Sequence, residues 1–139
     1  MQDNSTSNPT SIAQKGALAA LTLPLEEEVE RMRRIFDERR QLIVAKLNQI
    51  EGISCFDPGG AFYAFPHLGR LLERKAPGEK EPIGTDDRFV ARLLDVHQVA
   101  AVPGSAFGAP GYMRLSFAIA ADQIEKGVAR IAEMAKTLH

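Results

Sequence analysis

The amino-acid sequence predicts an α+β fold in which helices pack on a small mixed β-sheet. Three observations lead there. Apolar residues recur at spacings of three and four after Pro24 and again toward His139. Between those stretches lie short apolar and aromatic runs bounded by glycine and proline, which read as strands. The order that results is helix, long helix, two strands, helix, two strands, helix, and it lacks the βαβα alternation of a doubly wound sheet.

The first nine residues are a polar Ser/Thr/Asn/Pro cluster and read as a loop. A short helix follows, with Ile12, Ala13, Ala17, Leu18 and Leu21 at apolar positions. Thr10 or Ser11 caps it, and Gly16 weakens it. Pro24 marks the start of the long helix, where Glu26, Glu27 and Glu28 meet the positive end of the dipole. Val29, Met32, Ile35, Phe36, Leu42, Ile43, Leu47 and Ile50 form its apolar stripe, and Gly52 is the expected stop. Strands are expected at residues 53–56 and 61–65, separated by the turn Asp57-Pro58-Gly59-Gly60. Residues 74–84 read as a mobile surface loop. Thr85 caps the next helix, with Asp86 and Asp87 in its first turn and Phe89, Val90, Leu93 and Leu94 on its buried face. Strands at 99–102 and 112–118 flank a Gly/Pro-rich loop. Ile124, Val128, Ile131, Ala135 and Leu138 mark a C-terminal amphipathic helix.

A chain of 139 residues is long enough to bury a core without metals or disulfides. Its net charge of −1 points to neither a nucleic-acid partner nor a membrane surface. No apolar stretch is long enough to span a bilayer, and the polar start is unlike a signal peptide, so a cytoplasmic location is expected. Cys55 is the only cysteine, which excludes an intrachain disulfide. His67, His97 and His139 do not have the spacing of a zinc site, so no metal is expected. No Ser/His/Asp or Cys/His set stands out as catalytic. The arginines at 31, 33, 34, 39 and 40 are interleaved with acids and read as a solvated helix face.

Arg114 is the most informative side chain. Along its strand Met113, Leu115 and Phe117 share one face, and Tyr112, Arg114 and Ser116 share the other. An arginine there needs an anion or a route to water. One reading is an internal ion pair or a solvated sheet face. The other is a fork for a carboxylate, where each charge-assisted hydrogen bond contributes about 1.5–3 kcal/mol. The glycine-rich segments 102–108 and 59–63 each read, alone, as turns.

Taken together and in order, four segments resemble the C-terminal end of class I, fold-type I pyridoxal-phosphate aminotransferases, closest to the bacterial aspartate group. They are Ser5-Thr6-Ser7-Asn8-Pro9-Thr10-Ser11-Ile12-Ala13-Gln14, Gly59-Gly60-Ala61-Phe62-Tyr63, Val102-Pro103-Gly104-Ser105-Ala106-Phe107-Gly108 and Met113-Arg114-Leu115-Ser116-Phe117-Ala118. The resemblance covers essentially the whole chain. It implies residues 1–23 as a large-domain or interface segment and residues 24–139 as the small domain that closes over substrate. Arg114 matches the arginine that binds the substrate α-carboxylate. Gly60 and Phe62 match the edge that approaches substrate, and Ser7 and Asn8 match a segment near the subunit interface and the neighbouring active site.

The implied substrates are an amino acid and a 2-oxo acid, of the aspartate/2-oxoglutarate type, and the implied assembly is a homodimer. The family's Schiff-base lysine and the other cofactor-binding residues match positions upstream of the Ser-Asn-Pro segment. No catalytic or cofactor-binding residue is therefore assigned here, and the chain alone is expected to be inactive and to carry no pyridoxal phosphate. Some animal-type relatives carry an arginine for the side-chain carboxylate at the position of Asp3, which leaves amino-acid specificity open. Two other readings stand beside this one: a stand-alone carboxylate- or partner-binding module without enzyme activity, and the small domain of a related pyridoxal-phosphate lyase.

Overall fold

The computed structural model describes residues 8–139. Within them lie four α-helices, α1 (Ser11–Thr22), α2 (Glu26–Leu47), α3 (Asp86–His97) and α4 (Ala121–Thr137), and three strands, β1 (Tyr63–Ala64), β2 (Val102–Pro103) and β3 (Met113–Ser116). Two compact units divide the chain, Met1–Arg34 and Ile35–His139.

The described part of the first unit is helical. Thr10 caps α1 by accepting a hydrogen bond from the Ala13 N–H at 3.3 Å. No residue of α1 is buried. The three glutamates expected at the start of α2 occupy its first turn, two residues beyond Pro24. Glu28 pairs with Arg31, and Glu30 with Arg33 and Arg34, all exposed. These are the solvated charges expected of that face, and such pairs contribute about 0–1 kcal/mol. Arg39 and Arg40, read with them, are instead half-buried, Arg39 over the Phe36 ring and Arg40 paired with Asp37 and Asp57.

The second unit holds the core. Ile43 and Leu47 from the C-terminal half of α2, Phe89 and Leu93 from α3, Met113, Leu115 and Phe117 along β3, and Ile131 and Met134 from α4 are all buried. The sheet runs β1-β3-β2 with β3 central. Tyr63 pairs with Ser116 and Ala64 with Leu115; Val102 pairs with Arg114 and Pro103 with Met113. The α+β class is as predicted. Both strand pairings are antiparallel, which corrects the expected mixed sheet.

Alternation along β3 is also as predicted: Met113 and Leu115 are buried, Arg114 is half-buried and Ser116 is exposed. Thr85 caps α3 through the Arg88 N–H, and Gln98 ends it in the left-handed conformation, φ 54°.

The expected strand at 53–56 is reduced to a single bridge, Ser54 with His67. Beyond it the backbone of Cys55 finds a side chain instead: Asn48 Oδ1 accepts from the Cys55 N–H at 2.8 Å, and Asn48 Nδ2 donates to the Cys55 carbonyl at 2.9 Å. The Asn48 amide thus substitutes for a neighbouring strand. Residues 74–84, expected to be a mobile surface loop, are anchored. Lys75 bridges to Pro82, Ala76 and Ile83 are buried, and Glu79 pairs with Arg88 and Arg92 of α3. His67, which by its place after Pro66 reads as a loop residue, bridges both Ser54 and Tyr112 and is half-buried.

Candidate functional site

The central strand carries Arg114 away from the core. In register with β2 it lies opposite Val102, and it is diagonal to Tyr63, whose own partner is Ser116. Side chains opposite or diagonal across antiparallel strands share a face, so Tyr63 and Arg114 meet there. The Arg114 Cζ lies 4.4 Å from the Tyr63 ring centroid and 4.4 Å from that of Phe107. Each such contact is worth about 0.5–2 kcal/mol. Ring faces attract the cation without using its N–H donors. No acidic side chain pairs with Arg114 among the described residues, so the internal ion pair is not formed. The guanidinium is held by two rings with its donor fork unpaired beside an open face, where it can meet water or a planar anion. A shallow cleft of about 160 Å³ opens beside it, lined by Tyr63, Ala100, Ala101, Val102, Arg114 and Ser116.

Phe107 reaches Arg114 from the loop between β2 and β3. Gly104–Phe107 form a 3-10 turn, closed by Gly108 in the left-handed region at φ 72°. Gly104 is needed for another reason. Its N–H donates to the Tyr112 carbonyl at 2.8 Å, and a Cβ there would meet the Ala109 carbonyl oxygen at 2.3 Å. Behind Phe107 the rings continue: Phe65 meets it edge-on at 6.2 Å and stacks on Tyr112 at 5.2 Å.

The same turn is tied to α3. Asp86, the one buried charged residue in the described chain at 3 % exposure, accepts from the Ser105 N–H at 2.7 Å. The neighbouring Asp87 accepts from the Ser105 hydroxyl at 3.0 Å. Burial alone would raise the Asp86 carboxyl, but hydrogen bonds from Ser105 and from the backbone N–H groups of Asp86 and Gly111 outweigh it and hold the group below the usual aspartate value.

The other residues singled out in the sequence are placed as follows. Phe62 is 40 % exposed, with its ring 4.6 Å from Tyr63 and 6.4 Å from Phe36. It therefore adjoins the ring that flanks Arg114 without touching the guanidinium. Gly60 is exposed, with open space where a Cβ would stand. The left-handed residue of this turn is Ala61, φ 59°, rather than either glycine. Asn8 is exposed, while Ser7 and Asp3 lie outside the described residues. Cys55 is buried, and burial pushes its thiol up, which makes it a poor nucleophile. Among the described residues no group of three or more His, Cys, Asp or Glu side chains could hold a metal.

Tyr63, Phe107 and Asp86 were not singled out from the sequence for this site. Tyr63 was accessible in principle, because β1 paired antiparallel with β3 puts it diagonal to Arg114 once the register is known. Asp86 read only as a helix-start acid, and nothing in sequence ties it to Ser105.

Residues 1–131 match the family model described as aminotransferase class I and II. This chain belongs to the class I and II aminotransferase family. Among its relatives, the aspartate aminotransferase of Geobacillus stearothermophilus is 47% identical over 94% of this chain and 32% of that protein. The aspartate aminotransferase of Bacillus subtilis is 46% identical over the same shares. In structure, the aspartate aminotransferase of Rhizobium meliloti superposes with a TM-score of 0.91 at 39% identity, covering 99% of this chain and 34% of that one. An aromatic aminotransferase from Pyrococcus horikoshii superposes at 0.83 with 33% identity, over 97% of this chain and 34% of that chain. The chain thus spans about a third of the length of the relatives it matches.

The resemblance read from the four segments is therefore correct, and this aminotransferase chain has the fold expected of a small domain. The family implies pyridoxal phosphate in the full-length enzymes. The residues described around Arg114 do not by themselves fit that group, because none of the six lining the cleft is a lysine. Among the other lysines, Lys46 pairs with Glu125 and Lys126 with Asp122. No helix of the described residues is long and apolar enough to cross a membrane.

Proposed function

We propose that this chain is the C-terminal small domain of a pyridoxal-phosphate-dependent aminotransferase of the aspartate/2-oxoglutarate type, working in the cytoplasm as a homodimer. In that enzyme Arg114 binds the α-carboxylate of the amino acid or 2-oxo acid. Gly60 and Phe62 form the edge that meets substrate, and Asn8, with Ser7, lies near the neighbouring active site. One observation carries the reading: a guanidinium held 4.4 Å from two rings, half-buried, with no acidic partner among the described residues. A structural arginine would pair with a carboxylate or extend into water, whereas this one is held against two rings beside a cleft. The names of the relatives support the amino-group-transfer class.

The chain's own part is positional. Tyr63 and Phe107 restrict the guanidinium, so less rotamer freedom is lost when a carboxylate docks on its fork. The family's Schiff-base lysine matches no position of this sequence, and on this reading the 139-residue chain is inactive alone.

Two measurements test this. In the full-length enzyme, Arg114→Ala lowers kcat/KM by about 100-fold or more, the equivalent of about 2.7 kcal/mol for a lost pair of charge-assisted hydrogen bonds. The 139-residue chain mixed with pyridoxal phosphate, aspartate and 2-oxoglutarate gives no turnover and no stoichiometric borohydride-trapped adduct at one lysine. Turnover by the chain alone, or an Arg114→Ala enzyme with unchanged kcat/KM, would sink the reading.

A further inference from the structure

We propose that Asp86 is a positioning residue for Arg114: its buried carboxylate fixes the Gly104–Phe107 turn and, through it, the Phe107 ring that flanks the guanidinium. The functional consequence rests on the reading of Arg114 as a carboxylate fork; the geometric claim does not.

The path is short and each link is a contact. Asp86 opens α3, yet Thr85 already caps that helix by accepting from Arg88. The Asp86 carboxylate is therefore not needed as an N-cap, and it points instead to another segment, the Ser105 N–H at 2.7 Å. It is 3 % exposed, and a buried carboxylate is costly unless its lone pairs are satisfied. Backbone N–H groups satisfy it, and that ties the charge to one arrangement of the turn. Asp87 adds a second tie through the Ser105 hydroxyl.

Two residues beyond Ser105 the turn presents Phe107, which is 49 % exposed and so is held little by burial of its own ring. Its ring contacts are Phe65 and Arg114. The opposite side of the turn is fixed by Gly104, packed against Tyr112 and Ala109. The turn is thus held at Gly104 by close backbone packing and at Ser105 by the carboxylates, and Phe107 projects from its far end. Loss of the Asp86 charge removes the backbone tie and leaves only the exposed Asp87–Ser105 hydroxyl contact at that point, so the half-exposed ring can leave the cation.

The test uses the 139-residue chain and heteronuclear NMR. The Arg114 Nε–H and side-chain protons lie in the ring currents of Phe107 and Tyr63, so their chemical shifts report the flanking rings. Phe107→Leu displaces them and sets the scale. Asp86→Asn, with the Met113 and Leu115 amides unmoved as proof of fold, displaces the Arg114 signals in the same direction and by most of that amount. Asp86→Glu, which keeps the charge, returns them part of the way. A folded Asp86→Asn chain with native Arg114 shifts overturns the proposal.

If Asp86→Asn does not fold, hydrogen exchange in the unaltered chain decides. A Ser105 amide protected well beyond that of the exposed Ala106 supports the clamp, and equal exchange rejects it. A final arm titrates 2-oxoglutarate. Arg114 signals that respond in the native chain, and respond more weakly in Asp86→Asn, extend the proposal to ligand binding. If neither chain responds, the carboxylate reading of Arg114 fails, while the shift comparison still decides whether Asp86 positions the turn.

Discussion

Helix α1 carries Ile12, Leu18 and Leu21 at 84 %, 55 % and 86 % exposure and buries none of its residues, whereas α4 buries Ile124, Val128, Ile131, Met134 and Ala135. Both helices show apolar periodicity in sequence, and that pattern says which face is apolar without saying what covers it. The same division runs along α2. Val29 and Met32, in the first unit, are exposed, while Ile43 and Leu47, in the second, are buried. Stability of the second unit therefore comes from its own core.

Mutation can break this contrast. Phe117→Ala, at a fully buried position beside the sheet, should cost about 3–5 kcal/mol and lower the urea midpoint sharply. Asn48→Ala should cost less, about 1–3 kcal/mol, because it leaves the buried Cys55 backbone without the partners that replace a strand. Leu21→Ser should lie within about 0.5 kcal/mol of the unaltered chain in the same measurement. A large loss for Leu21→Ser would show that residues 8–34 share the core. A neutral Phe117→Ala would show that the second unit does not depend on it.

The sequence was most legible where the determinant is local. Thr10 and Thr85 cap the helices they precede, because a cap needs only a hydroxyl and the N–H groups of the next turn. Alternation along β3 placed Arg114 off the core face, since a strand alternates its side chains without regard to what surrounds it. The strand at 53–56 failed because Asn48, seven residues earlier, competes for its backbone. The turn at Gly59-Gly60 was expected to draw its conformational freedom from glycine, yet Ala61 takes the left-handed conformation. The two glycines leave positive φ unused, and residue type alone gives no hint of which residue will adopt it.

By itself the sequence determined the four helices, the N-caps of α1 and α3, the α+β class, the solvated Arg31, Arg33 and Arg34 of α2 and the family, because each is written in neighbouring residues or in an ordered set of short segments; α2 itself ends at Leu47, short of the expected Gly52. Only the tertiary structure decided that Tyr63 and Phe107 flank Arg114, that no carboxylate among the described residues neutralises it, and that Asp86 holds the turn bearing Phe107. The physical reason is distance along the chain. Asp86 and Ser105 are 19 residues apart, and a hydrogen bond or ring contact of that kind depends on sheet register and on the packing of α3 against the loop. Neither is specified by spacing or residue type until the core is formed.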